Sequence, residues 1–339
     1  MKIANVDIRK KVFIIAEAGV NHEGSFENAL RLIDEAAEAG VDCIKFQSYK
    51  TSKLIARENK ERFAQRSRFE LGKKQNKELA RYAEKKGLAF LSTVLDCETA
   101  DELESLVCAY KIASLDLLNY KLMQHILQKN KTMIISLGMT TDEEVRLIID
   151  FILNNKGRKF LNKKVVFLHC VSAYPVKNPA SLNLLSIPYL KEKYKLSVGY
   201  SDHSLGGLAC LAAVALGARV IEKHFTLDKT MPGIRDHALS ANKEEMKQLV
   251  QCIRYIEQSL GVKGKIITRE ERENIRKMKR SFILTQDCRK GAVIKDSVLE
   301  AVINPSEGGI SSRDYFKIIG KRLKAHKNKY EIVNFYELQ

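Results

Sequence analysis

Eight short apolar runs rich in Val, Ile, Leu and Phe recur before residue 226: VFIIAEAG (12–19), DCIKFQS (42–48), LAFLST (88–93), AYKIAS (109–114), TMIISLG (132–138), KVVFLHC (164–170), LSVGYS (196–201) and ARVIEKHF (218–225). Runs this short and this continuously apolar read as β-strands buried on both faces, the habit of parallel sheets. Between them the period changes. FENALRLIDEAAEAG (26–40), KELARYAEKKG (77–87), ETADELESLV (98–107), TDEEVRLIIDFIL (141–153) and LGGLACLAAVALG (205–217) space their apolar residues as one face of a helix does. Several close on a glycine, the residue that tolerates the left-handed turn at a helix C-terminus. Strand and helix alternating to a count of eight predicts a closed (β/α)8 TIM barrel over about 250 residues rather than an open doubly wound sheet. The first strand is followed by EAGVNHEGS, with no GxGxxG, so a dinucleotide-binding turn is not indicated.

Beyond a helix at about 243–260 the texture changes. The stretch GVKGKIITREERENIRKMKR is polar and basic, and from Arg280 onward short strand-like runs alternate with turn residues, with one short helix near 312–319. The domain organisation expected is a barrel at 1–262, a linker at 263–279 and a small β-rich domain at 280–339.

In a barrel strand alternate side chains point inward, and enzymes of this architecture carry their chemistry at the C-terminal strand ends. Glu17 ends the first run, Lys45 and Gln47 share a face of the second, and Thr93 ends the third. Lys111 lies on the fourth with Ser114 just beyond, and Ser136 ends the fifth. His169, Cys170 and Ser172 close the sixth, Ser201 and His203 leave the seventh, and Glu222 and His224 share a face of the eighth. Singly, each has an ordinary explanation: an inward lysine is usually ion-paired and a core histidine is usually hydrogen-bonded. Together they point to an active site, because buried unpaired charges are too costly to accumulate by chance at corresponding positions. Two lysines among Ser and Thr hydroxyls suit a small ligand carrying phosphate and carboxylate. Two histidines on adjacent strands suit either one divalent cation with open coordination positions or hydrogen bonds to Asp202 and Glu222, and spacing leaves both open.

Composition narrows this little further. The chain of 339 residues is 45% hydrophobic and 29% charged, no apolar run approaches the roughly 20 residues of a membrane span, and the N-terminal run stops at Ile15 before Glu17, unlike a signal peptide. A cytoplasmic protein is expected. Seven cysteines, odd in number and never in CxxC spacing, suggest neither disulfides nor a thiolate zinc site. A net charge of +17 favours anionic partners, metabolites or nucleic acid. The basic C-terminal RLKAHKNK (322–329) has few aromatics interleaved, so nucleic-acid binding is not expected.

The motifs IAEAGVNHEG, IKFQSY, FLST, YKIAS, LGM, LHCVSAYP, GYSDHSLG and IEKHFTLDK, in this order, resemble the sialic acid (N-acetylneuraminate) synthase family and its relatives that make other nonulosonic acids. The likeness spans nearly the whole chain, and residues 280–339 resemble that family's antifreeze-like (SAF, β-clip) domain. It implies condensation of phosphoenolpyruvate with the open-chain aldehyde of an N-acetylated hexosamine, N-acetylmannosamine foremost, releasing phosphate by C–O cleavage. A di-N-acetylated hexose leading to legionaminic or pseudaminic acid is the alternative acceptor. By similarity His203 and His224 hold Mn2+ or Mg2+. Lys45, Thr93, Lys111, Ser114, Ser136, Ser172 and Ser201 cradle phosphoenolpyruvate, Glu17 is the acid/base carboxylate, and Gln47, Tyr174 and Asp236 meet the sugar. The family's small domain caps the partner's barrel, which implies a domain-swapped homodimer.

Three positions depart from the family's habit. The loop MPGIRDHALS is one residue longer before Asp236, Asp116 stands where glutamate is common, and Asn304 in VINPSEGGIS stands where a sugar-contacting arginine is common. A Schiff-base aldolase, with Lys45 or Lys111 as nucleophile, is the competing enzyme reading, and it leaves both histidines without a role.

Overall fold

The computed structural model describes residues 1–304 and 308–339, with Arg276 described by its backbone alone. Two compact units emerge, Met1–Gly261 and Val262–Gln339. In the first, eight parallel strands close into a barrel: β1 (Phe13–Gly19), β2 (Cys43–Ser48), β3 (Ala89–Val94), β4 (Ala109–Ile112), β5 (Thr132–Ser136), β6 (Val165–Cys170), β7 (Ser197–Asp202) and β8 (Val220–His224), with β8 paired to β1. This is the (β/α)8 TIM barrel that the alternation predicts. Every residue of β1, β5, β6 and β8 is buried, which is why the first three are mostly apolar, whereas β8 buries Glu222, Lys223 and His224.

The outer helices owe their limits to local chemistry. In α1 (Phe26–Ala39) the Ser25 side chain accepts from the Asn28 N–H at the start, Gly40 takes the left-handed conformation at the end, and Ala29, Leu32, Ile33 and Ala36 form the buried stripe. The next, α2, runs Lys73–Lys85, four residues ahead of its predicted start, and α3 covers Cys97–Leu103. Two helices not singled out by periodicity complete the ring on that side, α4 (Tyr120–Gln128) and α6 (Ser186–Tyr194). Between them α5 (Asp142–Lys164) begins with a capping box of Thr141 and Glu144 and runs past its predicted end, broken at Gly157. The seventh, α7 (Leu208–Ala215), starts after Gly206 and Gly207, and α8 (Lys243–Ser259) is capped by Asn242. An N-terminal hairpin, Lys2–Ile3 against Val6–Asp7, adds Ile3 and Ile8 to the barrel core.

The second unit has its own core, built on Phe282, Leu284, Ile294, Ile310, Ile318, Leu323 and Val333. Its β9 (Arg280–Leu284) and β10 (Leu299–Ile303) pair antiparallel, and a short helix at Tyr315–Ile318 follows a 3-10 turn at Ser312–Asp314. Inside the stretch read from sequence as a linker, Arg269–Met278 forms a helix (α9) with a Thr268–Glu271 capping box. The proline after Asn304 lies outside the described residues.

Candidate active site

Parallel register sets the positions first. Across the barrel wall His224 stands opposite Glu17 and Glu17 opposite Lys45, while Glu222 pairs with Ser201, and Thr93 with both Gln47 and Lys111. The long side chains then converge at the C-terminal ends of the strands. Lys45 Nζ lies 2.5 Å from Glu17 Oε2 and 3.5 Å from Glu222 Oε2, and donates to Thr93 Oγ1 at 2.8 Å. Gln47 Nε2 donates to Glu17 Oε1 at 3.2 Å. Lys111 Nζ donates to Ser136 Oγ at 2.7 Å and sits 3.9 Å from Glu222 Oε1, which accepts from Ser201 Oγ at 2.8 Å. The four ionisable groups are each no more than 6% exposed.

Two ammonium and two carboxylate groups are thus buried together, so neither lysine stands as an unopposed cation. Their environments push the two carboxyls apart. Burial raises Glu17 to about 7 despite the pull of Lys45, whereas at Glu222 burial is outweighed by Lys111 and Lys45 and the group falls to about 2. Burial lowers Lys111, and at Lys45 the pull of Glu17 and Glu222 overcomes burial and raises it.

Beside this cluster the end of β5 turns through Gly138, whose N–H donates to Ser114 Oγ at 2.9 Å. A Cβ at Gly138 would lie 2.2 Å from Ser172 Oγ, 2.8 Å from Ser114 Oγ and 3.3 Å from Cys170 Sγ. Only glycine lets two hydroxyls and a thiol close on the backbone there.

The two histidines face each other with ring centroids 5.3 Å apart, and the Tyr174 ring lies 4.1 Å from His203 and 6.0 Å from His224. His203 Nδ1 donates to the Val171 carbonyl at 2.7 Å, and against burial the Cys170 thiol and that carbonyl raise the imidazole above its ordinary range. Burial raises the Cys170 thiol, yet His203, its Nδ1 3.7 Å from Sγ, pulls the thiol below its ordinary range. Burial, reinforced by His203, keeps His224 neutral, and its buried Nδ1 has no hydrogen-bond partner among the described residues. A neutral His224 with an orphaned nitrogen, facing a second imidazole, fits a divalent cation once His203 releases its Nε2 proton. Among the described residues no group of three or more His, Cys, Asp and Glu is arranged to hold one.

Around the mouth, Arg235 stacks over Tyr174 at 5.0 Å, and its Nε is 3.8 Å from Asp236, whose carboxyl burial raises. Asn21 and His22 shape the first loop: Asn21 Nδ2 donates to the Phe225 carbonyl and to Ser240 Oγ, and His22 Nδ1 accepts from the Gly24 N–H. Asn304 belongs to the second unit, where its amide donates to the Gly308 carbonyl at 3.1 Å. The barrel therefore brings together Glu17, Lys45, Gln47, Thr93, Lys111, Ser114, Ser136, Ser172, Tyr174, Ser201, His203 and His224. Glu222, which joins both lysines and lies by parity beside His224, has no role among those the resemblance implies. Its signal was present, since a carboxylate two residues before an inward histidine faces inward too.

The NeuB family sequence profile matches residues 32–265. The chain belongs to the NeuB family. It is 36% identical over 338 residues to the N,N'-diacetyllegionaminic acid synthase of Campylobacter jejuni, covering 96% of this chain and 99% of that one. The Legionella pneumophila enzyme of the same name is 38% identical, with 92% and 90% covered. Among solved structures, the N-acetylneuraminic acid synthetase of Leptospira borgpetersenii superposes with a TM-score of 0.75 at 37% identity, covering 81% of this chain and 94% of that one. The chain shares its barrel architecture with these synthases.

Proposed function

We propose that the protein condenses phosphoenolpyruvate with the open-chain aldehyde of an N-acetylated hexosamine, giving a nonulosonic acid and phosphate. The observation that carries this reading is the pairing of a buried, balanced Lys–Glu cluster with two facing histidines at one end of a NeuB-family barrel. Lys45, Lys111 and the hydroxyls of Thr93, Ser136 and Ser201 bind the carboxylate and phosphate, with Ser114, Ser172 and the Gly138 N–H as a second cradle. Glu17, protonated up to about pH 7, gives its proton to the aldehyde oxygen as C3 of phosphoenolpyruvate forms the new C–C bond. Water then adds at C2, and the intermediate loses phosphate by breaking the C–O bond. His203 and His224 would hold Mn2+ or Mg2+, which supplies polarisation of the aldehyde oxygen when bound. Tyr174, Gln47 and Asp236 line the acceptor side, and Asn304 is the second unit's contribution, that unit being read as an antifreeze-like domain in a swapped homodimer of a cytoplasmic protein.

For the acceptor, N-acetylmannosamine is the first reading. A di-N-acetylated hexose is the second, favoured by the 36% and 38% identity to synthases named for diacetyllegionaminic acid. Phosphate release from phosphoenolpyruvate across a panel of both sugars and their 6-phosphates, with Mn2+ and with EDTA, tests the proposal. Release with one sugar, abolished by EDTA, is expected. Turnover that persists in EDTA, with borohydride trapping of a lysine, would move the chemistry to the Schiff-base mechanism.

A further inference from the structure

One buried ionic group lies outside the interior cluster. Asp202 and Lys223 occupy the faces of β7 and β8 opposite to Ser201 and Glu222, because neighbours along a strand point to opposite sides. They are register partners, with Lys223 Nζ 2.8 Å from Asp202 Oδ2, and their side chains are 1% and 0% exposed. The other carboxylate oxygen accepts from the Tyr200 hydroxyl and the Ser204 N–H, both at 2.9 Å. The Cys210 thiol, on α7, donates to Oδ2 at 3.4 Å, and Lys223 also donates to the Ser204 carbonyl. Two strands, the loop that follows β7 and the helix beyond it are tied at one point.

Stability does not explain such a pair. Removing two charges from water costs about what their attraction returns, and hydrophobic replacements of buried pairs are often neutral or better. A pair that is not retained for stability is suited to fixing register, and here each ion directly precedes one histidine of the facing pair, Asp202 before His203 and Lys223 before His224. A slip or splay of β7 against β8 changes the distance between the two rings directly. We propose that the Asp202–Lys223 ion pair is a positioning device, holding His203 and His224 at the separation and orientation that a shared cation needs. The inference rests on the functional reading above only in assigning the cation to the histidines.

The variant that tests it is Asp202→Asn with Lys223→Met, in which the asparagine oxygen still accepts from Tyr200 and Ser204 while the ionic tie is gone. Asp202→Asn alone, which leaves the Lys223 ammonium buried and unpaired, is the harsher form and is expected to lower the melting temperature further. Three measurements on the full chain decide: the melting temperature, Mn2+ affinity by paramagnetic resonance, and ring 15N chemical shifts of the histidines without metal. The expected result is a melting temperature within a few degrees of wild type, a loss of Mn2+ affinity of about 10- to 100-fold, as removal of outer-shell partners typically produces, and altered ring shifts for both histidines. Unchanged shifts and affinity within about twofold in folded variants would reduce the pair to a packing feature. Should wild type itself bind no Mn2+, the assignment of a cation falls, and the metal-free ring shifts still show whether the pair orders the two rings.

Discussion

Glu17 and Glu222 both approach Lys45 and carry opposite shifts, and that difference makes one of them an acid. With both carboxylates ionised the two lysines are fully offset. With Glu17 protonated, near and below about pH 7, the cluster carries one net positive charge and accepts an anion more readily. Glu17→Gln keeps the shape and the acceptor oxygen for Gln47 but cannot release a proton, so kcat is expected to fall by about 10²- to 10⁴-fold. In wild type the protonated form is present below the raised value and is lost above it, so kcat/KM should decline as pH rises through about 7. The glutamine variant should lack that decline. A pH–rate profile of both proteins checks this, and an unchanged alkaline limb in the variant would assign the titration to another group.

Strand β7 makes a close backbone approach to β8 at Gly199. A Cβ at Gly199 would stand 2.4 Å from the Val220 carbonyl oxygen and 2.6 Å from Leu168 Cδ2, so neither backbone nor core can give way cheaply. Gly199→Ala is expected to destabilise the barrel by about 1–3 kcal/mol or more, as overpacking does, read as a lower denaturant midpoint at unchanged slope. A midpoint equal to wild type would mean that β7 and β8 separate without cost. The same strands show how far pattern reaches. Their number, order and inward parity follow from a period of two, which is local. The helix Ser186–Tyr194 escaped periodicity because Pro188 falls within it, yet in a first turn proline gives up an N–H that has no intrahelical partner in any case. Helix α7 begins later than its apolar pattern because Gly206 takes a positive φ and delays entry.

At the scale of the molecule, the two units carry separate cores. On the first, Leu115, Met139, Leu185 and Leu205, all on loops that follow barrel strands, are between 63% and 70% exposed, an arrangement that favours burial against another protein surface. Together with the expected homodimer this predicts a sedimenting mass twice the 38.5 kDa of one chain. A monomer at working concentration would remove the swapped-dimer reading while leaving the barrel chemistry intact.

The sequence by itself determined the barrel, the polar ends of its eight strands and two histidines on adjacent strands, because burial on both faces and alternation along a strand are written in neighbouring residues. Only the tertiary structure decided which of those ends meet. Lys45 reaches Glu17 on one neighbouring strand and Glu222 two strands away across β1, Lys111 reaches Glu222 across the barrel, and Asp202 finds Lys223 on the outer face. Those encounters depend on the register of the closed sheet and on the reach of long side chains. No local period encodes either, so the charge balance that sets Glu17 apart from Glu222 appears only once the barrel has closed.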